Sequence, residues 1–294
     1  DLDASATTGS DGSFSLEVGS VPDTTEEVTA SFVQTATFVG SSASSTGPLV
    51  APGLPSVEPA LSQVGTGVTV TAELPSLRGA TSGELVFVDD FGVVLAAPGP
   101  VVMELDGSTL RVTTTDLPVG VHEIAVRSLD DDGNASPLSA TAMLVVYDPD
   151  GGSVSGGGWL YPAPDDELPN VEARGKAHFG FQVRYKNGRD VVPAGQATFR
   201  YRAGDLRLDA GDFEWLVVAT PNSASFRGEA EVTHTVDGVE RTDVLDFRIV
   251  LYDGDQKNNG DDEFGITIFA PDGGILYRVK QALIEGGSVQ VKKK

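Results

Sequence analysis

Asp253, Asp255, Asp261 and Asp262 crowd carboxylates into one short stretch, "DGDQKNNGDD", of a 294-residue chain. Hard cations take several carboxylate and carbonyl oxygens converging from one loop, so these four aspartates are the candidate calcium ligands. The stretch departs from an EF-hand: Lys257 and Asn258 occupy the fifth and sixth places, where an oxygen ligand and a glycine are needed, and Phe264 holds the twelfth. A solvated hairpin loop explains the same composition without an ion. At 130–134, "DDDGN" reads as a turn in which aspartate and asparagine side chains bond their own backbone.

A second chemistry is stacking on sugar rings. Trp159, Tyr161 and Trp215, with Tyr201 and Phe213 nearby in sequence, are the candidate platform for carbohydrate. Most of these rings alternate with polar residues and are equally read as core, and Trp159 is expected to anchor its strand there. His122, His178 and His234 are widely spaced, without the HxH or HExxH pattern that sets two ring nitrogens on one metal, and read as chance placements in strands. Two of the 43 acids could face each other across a cleft as hydrolases require, yet no Ser/His/Asp arrangement stands out. The expectation is a protein that is not an enzyme. The glycine runs of "DPDGGSVSGGGWLYP" lack the Gly-Lys-Ser/Thr of a phosphate loop and the GxGxxG of a dinucleotide fold, and read as a flexible joint entering a new domain.

The elements that must carry these residues are strands. Glycine (35) and proline (17) are abundant and long helix-forming windows are nearly absent, so the fold class is all-β: tandem Ig-like β-sandwich modules followed by a larger antiparallel sandwich or roll. Residues 1–52 carry too few strands for a full sandwich and read as a partial Ig-like module, completed by preceding sequence or by a neighbouring subunit. Residues 53–149 hold short strands at even spacing, a fuller Ig-like module. The closes of these two modules share a plan, an alternating strand, a Gly/Ser turn and a Gly-Pro-Leu or Ser-Pro-Leu step, which resembles the tail of bacterial immunoglobulin-like repeats. From 150 to 294 the alternation is strict. "KAHFGFQVRYKNG" sets Ala177, Phe179, Phe181, Val183 and Tyr185 against His178, Gln182, Arg184 and Lys186.

The net charge of -23, with a pI near 4.3, repels phosphate backbones and anionic headgroups, which argues against nucleic acid as a partner. The charge is uneven: residues 1–150 hold 21 acidic and 3 basic side chains, residues 151–294 hold 22 and 17. Absence of cysteine excludes disulfides and thiolate metal sites, and no apolar run reaches the roughly 20 residues of a spanning helix. An opening at Asp1 without a leader fits a processed secreted protein or a fragment.

The motifs "GGGWLYP", "GKAHFGFQVRYKNG", "PAGQATFRYRAGDLRL", "FEWLVV" and "GGSVQVKKK", in this order across residues 151–294, resemble a C-terminal β-domain of secreted bacterial proteins, the post-choice-of-anchor type that follows Ig-like or PKD-like repeats. The resemblance implies a noncatalytic extracellular module with no site residues to carry over. The expected function is therefore a structural or adhesive component of a bacterial surface, matrix or filament that self-assembles by strand complementation. Its partners would be copies of the same chain, and the alternative is binding of extracellular polysaccharide.

Overall fold

Alternation of apolar and polar side chains demands pleated strands, and the computed structural model is all-β, 63% strand with no α-helix among the described residues. It describes residues 27–32 and 41–46 as backbone, and 48–88, 93–169, 175–186, 192–220, 222–236, 238–254 and 261–293 with their side chains. The chain divides into two compact units. One is Asp1–Glu58, Thr69–Thr113 and Glu123–Ala142; the other is Pro59–Val68, Thr114–His122 and Met143–Lys294.

β1 (Glu27–Phe32) and β2 (Ser41–Thr46) pair as an antiparallel two-stranded ribbon. The next eight strands are β3 (Ser56–Glu58), β4 (Leu61–Gln63), β5 (Val68–Glu73), β6 (Ala80–Val88), β7 (Val101–Asp106), β8 (Thr109–Thr114), β9 (Gly120–Asp130) and β10 (Ala142–Tyr147). They form one sheet in the order β3-β5-β8-β7-β6-β9-β10-β4, in which the β10–β4 pair is parallel. Val70, Leu85, Met103, Leu110 and Ile124 are fully buried in its core. After β9 the "SPLS" segment runs alongside that strand. Ser136 and Ser139 accept the N–H groups of Ser128 and Val126 through their hydroxyls, at 3.0 and 2.9 Å, while their own N–H groups return to the carbonyls of the same two residues. Serine at these places substitutes for strand backbone beside Pro137, whose nitrogen has no proton to give.

The remaining strands are β11 (Ser153–Leu160), β12 (Ala177–Arg184), β13 (Ala194–Tyr201), β14 (Leu206–Val218), β15 (Ser223–Val236), β16 (Val239–Tyr252), β17 (Glu263–Phe269), β18 (Ile275–Leu283) and β19 (Gly286–Lys292). Their sheet runs β18-β17-β16-β15-β14-β13-β12-β11-β19: each strand lies beside its predecessor until β19, which crosses to pair with β11. The strict alternation expected for β12 is realised, with Ala177, Phe179, Phe181 and Val183 buried and His178, Gln182 and Arg184 exposed; in β13, Phe199 and Tyr201 are buried and Arg200 exposed. Phe179 stacks on Phe264 with ring centroids 4.0 Å apart, and Phe213, Phe226 and Phe247 meet edge-on, so rings from both halves of the sheet fill one core. Tyr185 ties two strands together: its hydroxyl donates to the Leu216 carbonyl and accepts the Leu216 N–H, both at 3.1 Å. Burial holds that phenol well above the ordinary tyrosine range. Tyr185→Phe therefore leaves both backbone groups of Leu216 without this partner, with an expected loss of about 1–3 kcal/mol by urea unfolding.

The glycines of "SGGGWL" correct the expectation of a flexible joint, because they lie inside β11, between β12 and β19. Gly156 and Gly158 face the core. A Cβ at Gly158 would stand 2.3 Å from the Gly286 carbonyl oxygen, and one at Gly156 would stand 2.6 Å from that of Ser288. The Phe181 and Phe179 rings, on the residues that pair with these glycines, cover them. Only glycine lets three strands and two rings approach this closely.

Candidate functional site

The buried acids define what the acidic loop does. Among the described residues, the buried carboxylates are Asp166, Asp253 and Asp262. Asp262, which precedes β17, accepts the Val289 N–H at 2.7 Å and the Gly254 N–H at 3.2 Å; Asp253, which follows β16, accepts the Val291 N–H at 2.9 Å. Both carboxylates therefore satisfy the edge of β19 that faces away from β11. At the opposite edge, Asp166 accepts the Lys280 N–H of β18 at 2.9 Å, and the Glu167 backbone exchanges two hydrogen bonds with Arg278. Lys280 Nζ pairs with Asp165, and this hydrogen bond holds the Asp165 carboxyl below its ordinary range. A sheet edge presents unpaired N–H and C=O groups that invite another chain, and here side-chain oxygens occupy several of them.

Of the four candidate calcium ligands, Asp253 and Asp262 are brought together by this shared task, Asp261 is exposed, and Asp255 lies outside the described residues. Among the described residues no group of three or more acidic or histidine side chains is arranged to hold a metal ion. In the "DDDGN" turn, Asp130 accepts the Asn134 side-chain amide at 2.9 Å and the backbone N–H groups of Asn134 and Asp132, which lowers its pKa; the turn closes on itself.

The three aromatic candidates separate. Trp215 is 1% exposed, among the largest buried side chains, which corrects its place in a sugar platform: it offers no face to a ligand. Trp159 corrects in the other direction. It is half-buried rather than a core anchor, because it stands in phase with the outward residues Ser153, Ser155 and Gly157. Its indole lies over Gly286, and Lys176 Nζ sits 3.5 Å from the ring centroid. Tyr161 is 49% exposed and meets Trp159 edge-on, with centroids 5.5 Å apart. Trp159, Tyr161 and Lys176 thus form one exposed aromatic-cationic corner.

Beside this corner lies a depression of about 560 Å³ that residue types alone did not indicate. Ser155, Gly180, Gln182, Gln196 and Thr198 are among the residues that line it, and Gly157 pairs with Gly180 across β11 and β12. Only cross-strand register places two glycines side by side.

His234 also differs from a chance placement. Its Nε2 lies 2.9 Å from an Asp243 carboxylate oxygen, and its Nδ1 lies 2.8 Å from the Tyr277 hydroxyl. A carboxylate can only accept, so Nε2 carries a proton and donates to Asp243, and in the neutral ring Nδ1 accepts the Tyr277 O–H. The ring, 3% exposed, joins β15, β16 and β18 with both nitrogens engaged. His122 differs again: its Nε2 lies 2.9 Å from the Pro118 carbonyl, and desolvation lowers its pKa. A lowered histidine pKa means the unfolded chain binds more protons, so stability falls as pH drops through the ordinary value near 6.5. His122→Gln is expected to make the acid side of the stability–pH curve shallower, as read from urea midpoints at stepped pH.

No family model matches the chain, and no curated protein matches it significantly. The described residues contain no helix long and apolar enough to cross a membrane.

Proposed function

We propose that this chain is a non-enzymatic extracellular structural and adhesive protein of a bacterial surface, matrix or filament. The observation that supports this reading is the use made of the buried acids. Hydrolases aim paired carboxyls at a cleft, whereas Asp166, Asp253 and Asp262 are engaged by backbone N–H groups of edge strands. The resemblance of residues 151–294 to the C-terminal β-domains of secreted proteins points the same way. Copies of the chain join at the β1–β2 ribbon, which among the described residues has no third strand; a two-stranded sheet is marginal in water and gains from an added one. The capped nine-stranded sheet stays out of that exchange. Electron microscopy of the purified chain across salt and calcium concentrations tests the assembly, with filaments or ordered arrays as the expected result. Dispersed monomers under every condition would remove it.

A second reading, recognition of polysaccharide, is favoured by Trp159, Tyr161 and Lys176 standing together on the outer face. A glycan array tests that reading, and a blank array sinks it.

A further inference from the structure

The outer faces of β19, β11, β12 and β13 carry an unusual selection of side chains for a chain with 43 acidic residues. Strand register sets them in rows. One row is Gln290, Ser155, Gln182 and Gln196; the next is Ser288, Gly157, Gly180 and Thr198; the third is Gly286, Trp159, His178 and Arg200. Lys292 and Arg184 flank Ser153 beyond the first row. No acidic residue stands at an outward position of these four strands. Neither Arg184 nor Arg200 has an ion-pair partner among the described residues, whereas Arg207 on the next strand is already paired with Asp209.

The middle row is low because two of its members are glycines, and their presence has no structural cause in the strand. Neither has a left-handed backbone, and a Cβ at Gly157 or Gly180 would meet nothing closer than 3.5 Å, ordinary contact. Gly156 and Gly158, on the other face, are required by close packing. Glycine in a strand interior costs roughly 0.5–1 kcal/mol relative to alanine, so Gly157 and Gly180 weaken the sheet while lowering the floor of the trough. The depression itself is lined from β11, β12 and β13, and Ser288 and Gln290 of β19 continue the same rows to a fourth strand. At about 4.8 Å between strands the rows run about 15 Å, a span that takes a short run of sugar rings.

We propose that this trough binds an acidic polysaccharide, one bearing carboxylate groups on its sugar rings. The proposal rests on the adhesive reading above and names its ligand. Gln182, Gln196 and Gln290 each offer an amide that both donates and accepts, as sugar hydroxyls require. Arg184 and Arg200 offer planar guanidinium groups that match a carboxylate. Lys292, Arg184 and Arg200, with no acidic side chain on these four strands, favour an anion here in a molecule whose net charge is -23. The nearest strand-borne acid by register, Asp209 of β14, stands beside Thr198 at one end of the middle row and is paired with Arg207. A protein partner is less well matched, since a stable protein interface buries about 800 Å² on each side and this trough is narrow.

The test is calorimetric titration of the 294-residue chain with short polygalacturonate oligomers, with neutral glucan oligomers of equal length as reference. Binding to the uronate alone, weakening as salt rises, is expected. Gly180→Val fills the floor with a β-branched side chain whose Cβ meets nothing nearer than 3.5 Å, so it is expected to keep or raise the melting temperature while weakening uronate binding at least about tenfold, or about 1.4 kcal/mol. Arg184→Glu with Arg200→Glu is expected to lose the salt-dependent part. Equal uronate binding by Gly180→Val, equal affinity for neutral glucan, or no binding at about 1 mM uronate overturns the proposal. So does salt-sensitive self-association of the chain that Gly180→Val abolishes, because the acid-rich residues 1–150 of a second copy would then be the occupant. Adherence of the wild-type chain to bacterial cells or matrix is scored in parallel. If adherence survives in Gly180→Val while no uronate binds, the adhesive reading stands without this ligand; if the wild type does not adhere, that reading fails by itself.

Discussion

Asp262→Ala is expected to destabilise the nine-stranded sheet by about 2–4 kcal/mol. The carboxylate accepts from Val289 at 2.7 Å and from Gly254 at 3.2 Å, and alanine leaves both N–H groups without this acceptor, the first of them buried. Asp262→Asn keeps one carbonyl oxygen and is expected to lose less, since a neutral acceptor replaces an ionised one at one of the two contacts. Urea unfolding monitored by the buried Trp215 measures both. A loss under about 0.5 kcal/mol for alanine would show that water reaches this edge and that the carboxylate does not hold β19. The double change Asp253→Ala with Asp262→Ala should have a further effect, because it strips side-chain acceptors from both Val289 and Val291. An edge so exposed is a template for another strand, and concentration-dependent light scattering from the double variant is the expected sign.

Gly158→Ala is expected to be as damaging, at about 3 kcal/mol, although it adds one methyl group. That methyl would sit 2.3 Å from the Gly286 carbonyl oxygen and 3.1 Å from the Phe179 ring, and a backbone carbonyl in a paired strand has no room to yield. The β11–β19 pairing must open to admit it. Gly157→Ala, one residue away, points outward with nothing nearer than 3.5 Å and is expected to be neutral or to gain about 0.5 kcal/mol. Thermal melts of the two variants side by side make the comparison independent of composition, since both exchange glycine for alanine in one strand. Equal melting temperatures would mean that β11 does not face the core as described.

Much of this fold was legible in the residues. The phase of "AHFGFQV" identified the buried face of β12, and Phe199 and Tyr201 took the same places in β13. Phase also carried the answer for Trp215, which shares a face with Phe213 and Val217 and is buried with them. Around Trp159 the signal was missing: three glycines have no polarity to alternate, so nothing in "SGGGWL" told inside from outside. What could not be read was long-range pairing. That Ser155 lies beside both Gln182 and Gln290 follows from a strand that crosses to meet the first of its sheet. The same limit hid the role of Asp253 and Asp262, because a carboxylate among other acids resembles a cation ligand until the strand it faces is known. His234 was hidden for that reason too, its partners Asp243 and Tyr277 lying on two other strands.

The pairing of β19 with β11 also governs the order of folding. Ser153 meets Lys292, so this contact spans nearly the whole sheet in sequence, and the loop it closes is among the longest in the chain. During synthesis β11 through β18 leave the ribosome with β11 paired on its β12 side alone, and the latch between first and last strand can form only after the rest. A slow final kinetic phase, sensitive to changes in β19 and indifferent to those in the β15–β16 hairpin, is the signature such a topology leaves.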